Sequence, residues 1–262
     1  MEIEHSAWEH WAKLFAGRRN ADLPALEQDC DYSALPDSLA KSLAIFQLGE
    51  SGGGTIVQQA WPSALPGVDE YYAAAMALFV EEEHRHANVL AVCVRLLGGT
   101  LIRSNWTARL FVFVRRLIGL RLKVLVLLAA EVIGLCYYHL LAVNLPPSAL
   151  RSRLLEIVED ERLHLYFHCA FLRSQARKPW QKRVFVCVWR TVMLAASVAV
   201  VIDHRRAIQD MNIGVRKIMA RWKNYCELAE ALVVTDLEHP TESIDGVSFV
   251  DKCSTWRAGS YE

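Results

Sequence analysis

The chain has 262 residues, and its 29 Lys and Arg are balanced by 29 Asp and Glu. With no run of basic residues interleaved with aromatics, that balance excludes a polyanion, so no nucleic-acid partner is expected and small-molecule chemistry or self-association remains. Seven Cys, an odd number without a Cys-x-x-Cys, fit reduced thiols in a cytosol better than a disulfide framework or a zinc site, and the expected location is cytoplasmic.

In chain order, residues 1–35 read as an N-terminal arm. MEIEHSAWEHWAKLF is a short amphipathic helix carrying Trp8, Trp11 and Phe15, without the basic and apolar regions of a signal peptide. ADLPALEQDCDYSALPDS then breaks it with two prolines and polar turn residues. Residues 36–233 read as one helical domain, long enough to bury a substantial core. Its first helix is expected from Pro36-Asp37-Ser38 to Trp61-Pro62, with Leu39, Leu43, Phe46, Glu50, Gly53, Val57 and Trp61 on the inward line.

The second helix follows LPGVDEYY and stops at Leu97-Gly98-Gly99. Two registers compete in it, Glu81 with His84 or Glu83 with His86. The second shares its face with Met76, Val80, Ala87, Leu90, Val94 and Leu97, so periodicity selects Glu83 and His86. Glu81, Glu82 and His84 are then solvated or stand behind the site. Residues 98–119 form a basic, aromatic connector.

The third helix, about 120–143, carries Val124, Leu127, Glu131, Leu135, Tyr138 and Leu141 inward, and its other faces are apolar as well. Such a helix needs cover on more than one side, which the downstream hydrophobic helix is expected to supply. After the turn Asn144-Leu145-Pro146-Pro147-Ser148, a fourth helix to about Arg177 aligns Leu150, Leu154, Ile157, Glu161, His164, His168 and Phe171. Two more helices, about 181–210 and 215–233, and a polar tail at 234–262 complete the chain. Within the first of these, VFVCVWRTVMLAASVAVVI is apolar but holds Arg190 near its middle. An Arg there costs about 2.5 to 3.5 kcal/mol on insertion into a bilayer. The stretch therefore reads as a helix packed on other helices or at a homodimer interface, with peripheral membrane contact left open.

Two Glu-x-x-His motifs, Glu83/His86 and Glu161/His164, each put an acid and an imidazole one helical turn apart on one face. Each is preceded by an acid inside an apolar helical stretch, Glu50 by 33 positions and Glu131 by 30. This doubled order resembles the ferritin-like di-iron carboxylate superfamily over about residues 37–177. The resemblance implies an all-α fold, a ferritin-like four-helix bundle with a long crossover at 98–119 and additional C-terminal helices at about 181–233. It also implies two metal ions, one held by Glu50, Glu83 and His86, the other by Glu131, Glu161 and His164.

Independently of family, four buried acids require protons, partners or cations, and two divalent ions would neutralise them. Oxygen-rich sites with one imidazole per ion suit iron or manganese, and iron is the usual occupant in proteins the chain resembles. His168, four residues after His164, reads as a further ligand, a proton donor or a satisfied core histidine. Tyr138 reads as core or as a neighbour of the site, and Asp160 as a hydrogen-bond partner of a ligand histidine. The glycines around Gly52, Gly53 and Gly54 suggest a cavity beside Glu50, close helix packing or a local break. The expected function is a non-haem di-iron oxidase or oxygenase that uses dioxygen to oxidise a small apolar or amphipathic molecule. No flavin or ferredoxin motif is present, so electrons would come from an unidentified donor or from the substrate. The alternatives are a ferroxidase or peroxide-detoxifying protein without organic substrate, and a membrane-associated interaction protein.

Overall fold

Asp69 and Ser148 start the two helices that carry the Glu-x-x-His motifs. Asp69 Oδ1 accepts from the amide of Tyr72 at 2.8 Å, and Ser148 Oγ accepts from that of Arg151 at 3.3 Å, so each satisfies an otherwise open helix N–H. At the other end of the first of these helices, Gly98 adopts φ +70° while Gly99 N–H bonds the carbonyl of Val94, a glycine stop. Gly99 also lets the chain pass close to Ala40, because a Cβ at Gly99 would stand 2.7 Å from that of Ala40.

The structure, a computed structural model, describes residues 7–18, 31–52, 56–61, 63–116 and 119–235. The fold is all-α. Among the described residues the helices are α1 (Ala7–Arg18), α2 (Asp37–Glu50), α3 (Val57–Ala60), α4 (Glu70–Leu96), α5 (Trp106–Arg116), α6 (Leu120–Asn144), α7 (Ala149–Gln175), α8 (Pro179–Asp203), α9 (Arg205–Asp210) and α10 (Val215–Val234). The main packings are α6 on α7, α2 on α4 and α1 on α4. The rings of Phe46 and Tyr137 stack at 4.9 Å and tie α2 to α6.

Three expected boundaries are corrected. The first long helix stops at Glu50 and resumes only as the single turn α3, so Trp61 is exposed rather than on an inward line. Gly53 and Gly54, on which the cavity reading rested, lie outside the described residues, as does the tail from residue 236. The connector contains a helix, α5, because Asn105 Oδ1 accepts from the amide of Thr107 and opens a new first turn. The helix expected at 181–210 breaks at His204, whose Nδ1 meets Ser42 Oγ at 2.8 Å while Ser42 also meets the Tyr137 hydroxyl at 2.7 Å. That buried polar triplet anchors the turn into α9.

The need of α6 for cover on several sides is met by α7, α8 and α10 together. Trp222 of α10 is buried and donates its indole N–H to the carbonyl of Ile133. α6 and α8 are both long and apolar enough to cross a membrane, with mean hydropathies of 2.0 and 2.2. They differ in cover. The apolar window of α6 is 89% buried, as in a core helix, and that of α8 only 22%. At the opposite end of the chain, α1 sinks Trp8, Trp11 and Phe15 into an aromatic cluster with Tyr72 and Phe167.

Candidate metal centre

Helical spacing inside α4 puts Glu83 and His86 on one face, and the same spacing inside α7 does so for Glu161 and His164. The packing brings these faces together. One ligand atom from each of the four residues lies within 4.8 Å of the others, and all four residues are buried. His86 Nδ1 is 3.5 Å from Glu83 Oε1 and 3.5 Å from Glu161 Oε1; His164 Nδ1 is 3.1 Å from Glu83 Oε1 and 3.5 Å from Glu161 Oε2. Each imidazole thus faces both carboxylates.

The two remaining predicted acids reach the same place. Glu131, in the middle of α6, has Oε2 3.4 Å from His164 Nδ1. Glu50, the last residue of α2, shares a hydrogen bond with Glu83 and accepts one from the Tyr138 hydroxyl at 2.8 Å. His168 is fully buried, with Nε2 3.7 Å from Glu131 Oε1. Neither of its ring nitrogens has a hydrogen-bond partner among the described residues, so it is not a satisfied core histidine. Gly134 gives these groups room: a Cβ there would press on the Tyr138 ring at 3.2 Å and stand 3.8 Å from Glu161 Oε1.

Behind the histidines the two motifs exchange partners. His86 Nε2 lies 3.0 Å from Asp160 Oδ2, and His164 Nε2 lies 2.9 Å from Glu82 Oε2. The acid preceding each motif's glutamate therefore holds the other motif's histidine. An ionised carboxylate only accepts, so each Nε2 carries a proton and each Nδ1 points into the cluster; in the neutral ring this is the tautomer of a metal-binding histidine. Arg85 donates to Asp160 Oδ2 at 2.7 Å, and its guanidinium lies 3.5 Å from Glu82 Oε1. From α1, Arg18 reaches the same two acids, Glu82 at 3.3 Å and Asp160.

Asp160 takes the place expected of it, and of the three side chains left open in α4 it is Glu82 that is buried behind the site, whereas Glu81 and His84 are exposed. Arg18 and Arg85 escaped sequence reading. Their signal was only that of ordinary helix-surface cations, and the contacts that distinguish them span 142 and 75 positions of chain.

The four buried acids shift in opposite directions. Burial, then the charges of Glu83 and Glu131, push Glu50 well above the usual carboxylate range. Burial and the neighbouring Glu131 do the same to Glu161. For Glu83, burial is outweighed by the adjacent His164 and His86 rings, which hold it well below that range. For Glu131, burial and the Glu83 charge are outweighed by the proximity of Glu161, His164 and His168, which brings it to about 2. The acids around His164 raise its pKa despite burial.

The donor set fits a metal. Glu83 Oε1, Glu161 Oε2 and the Nδ1 atoms of both histidines are buried without a hydrogen-bond partner, and they converge. Unpaired buried polar atoms are costly, and a cation would satisfy all of them at once. The group could therefore hold a metal ion. Two surface depressions, one beside Lys182 and Arg183 and one beside Gln58 and Leu120, lie elsewhere and do not open on these acids. No family model matches the chain, and neither a curated protein nor a solved structure matches it.

Proposed function

We propose that the chain is a di-metal carboxylate protein of the ferritin-like kind, working as a non-haem di-iron oxidase or oxygenase on a small apolar or amphipathic molecule. The observation that carries this reading is the crossed arrangement of the two motifs. Both Nδ1 atoms face Glu83 and Glu161, both Nε2–H groups are held by the acid preceding the opposite motif, and Glu50 adjoins the cluster at Glu83 while Glu131 adjoins it at His164.

Glu50, Glu83 and His86 would hold one ion and Glu131, Glu161 and His164 the other, with carboxylates shared between them. Bound ferrous iron would supply electrons and open coordination positions for dioxygen. The protein's own part is positional. Asp160 and Glu82 orient the histidine rings, while Arg18 and Arg85 pair with both acids and, together with His164, hold Glu82 below the usual carboxylate range. Phe15 and Phe79, whose rings lie 6.0 and 4.7 Å from that of His164, keep water from one side. The Tyr138 hydroxyl on Glu50 and the unpaired His168 beside Glu131 are the two groups placed to deliver or take a proton. Further electrons would come from an unidentified donor.

The second reading, ferroxidase or peroxide-detoxifying chemistry without an organic substrate, rests on the same buried cluster of acids and histidines. Anaerobic reconstitution with ferrous iron, followed by metal analysis and stopped-flow absorption on mixing with dioxygen, tests both. Two irons per chain and a transient visible band, both lost in Glu83→Ala and Glu161→Ala, would support a dioxygen-reactive di-iron centre. Sustained ferrous oxidation with mineral formation would favour the second reading. No iron above background would remove the assignment.

A further inference from the structure

α8 carries a face that nothing in the described chain covers. Trp180, Val184, Leu194, Val198 and Ile202 are each 45–62% exposed, and Cys187, Thr191 and Ala195 on the same line are exposed too. Spacings of three and four residues keep this line on one side of the helix, as in the seam between paired helices. The buried side of the same helix, Phe185, Trp189, Met193 and Ser197, is already used for packing within the chain.

Apart from Leu194, the line is symmetric about its own centre. Thr191 is the middle residue of Pro179–Asp203. Trp180 and Ile202 stand eleven residues to either side of it, Val184 and Val198 seven, Cys187 and Ala195 four. A two-fold axis through Thr191, with two α8 helices antiparallel, lays each member of a pair on its counterpart from the other copy. That self-complementarity is what an isologous dimer requires, and a bilayer has no use for it.

The polar groups at the centre are already satisfied in a way that tolerates such burial. Thr191 Oγ1 donates to the carbonyl of Cys187 at 2.9 Å, so covering it strands no donor. Arg190, at the edge of the line, makes two 2.8 Å hydrogen bonds to the Glu230 carboxylate. A lipid-facing helix would instead present this ion pair to hydrocarbon near its midpoint.

A strip about 12 Å wide along the 25 residues of α8 amounts to roughly 450 Å² per chain, about 900 Å² over a pair, the size of a weak, concentration-dependent interface. We infer that the outer face of α8 is the interface of an antiparallel homodimer whose two-fold axis passes near Thr191.

Analytical ultracentrifugation of the full chain at tens of micromolar, together with disulfide trapping, tests this. The wild-type chain is expected to sediment as a dimer. Leu194→Glu with Val198→Glu should weaken self-association by about 100-fold or more, because two charges would be buried without partners. Helix content by circular dichroism should be unchanged, since both positions are on the surface. In a Cys187→Ser background, Thr191→Cys should form an intermolecular disulfide under mild oxidation. Val184→Cys and Val198→Cys should cross-link when mixed and not separately. A monomeric wild type overturns the inference, and so does a dimer that survives both charges or fails to trap at Thr191→Cys. Flotation of a monomer with anionic phosphatidylglycerol vesicles would assign the face to a bilayer instead, and dimerisation only after deletion of 236–262 would assign it to the chain's own tail.

Discussion

Asp160 Oδ2 lies 3.0 Å from Nε2 of His86, a residue 74 positions earlier in the chain. With its counterpart between Glu82 and His164, this contact makes each Glu-x-x-His motif depend on the other for the orientation of its imidazole. Asp160→Ala is therefore expected to lower metal affinity by about 10- to 100-fold, although Asp160 would touch no ion. Combining it with Glu82→Ala should lower affinity further. Competition with a fluorescent chelator measures both, and an affinity equal to wild type in the double variant would show that the crossed contacts do not orient the ligands.

Metal uptake should release protons. Glu50, Glu161 and His164 all have pKa values raised well above the ordinary ones, which favours their protonated forms when no cation is present. A cation must displace those protons, and its affinity should fall as the pH is lowered. Titration of lightly buffered protein with manganese(II) and a pH indicator should record more than one proton released per chain. Proton release indistinguishable from zero would contradict the titration behaviour derived for the cluster.

His204 should make stability depend on pH in a separate window. Burial lowers its pKa from 6.5 to about 4, so the folded chain stays neutral at this position where the unfolded chain takes up a proton. The associated stability is fully present above the unfolded value and is lost as the pH falls from there toward the folded one. Between about pH 7 and about pH 5 the loss should be about 2 kcal/mol. Urea unfolding of wild type and His204→Gln at both pH values isolates it, since the variant should lack this part of the slope. Parallel slopes in the two proteins would remove His204 as the cause.

Phe15→Ala should act on stability and on the metal centre together. The Phe15 ring is fully buried, 5.3 Å from that of Phe167 and 6.0 Å from that of His164, and α1 ends in Arg18 on Glu82 and Asp160. Truncation of a buried Phe costs about 3 to 5 kcal/mol. Chelator stripping of reconstituted protein should also become faster, as Arg18 loses its support. Unchanged stripping with lowered stability would show that α1 is only a packing element.

Much of the candidate site was legible because its Glu and His side chains are spaced by the helix itself. Glu83 with His86 and Glu161 with His164 share a face through a three-residue step, and the choice of Glu83 over Glu81 follows from the apolar side chains in register with it. Glu131 and Tyr138 could be placed inward for the same reason. The break after Glu50 was less legible, since an apolar line can be drawn through Val57 and Trp61 whether or not the backbone stays helical. The turn at His204 was hidden because what holds it, Ser42 and Tyr137, lies 162 positions away in one case and on a different helix in both.

Local periodicity, caps and the doubled motif thus determined the all-α class, the inward faces of α4, α6 and α7, and the six residues able to meet at one level. Those features arise within a few turns of chain, where backbone geometry alone relates one side chain to the next. Only the tertiary structure decided that Glu82 serves His164 and Asp160 serves His86, that Arg18 closes over both acids, and that one side of α8 stays bare. These depend on which helices pack and at what rotation, a choice made by the summed burial of many side chains and carried by no single stretch of sequence.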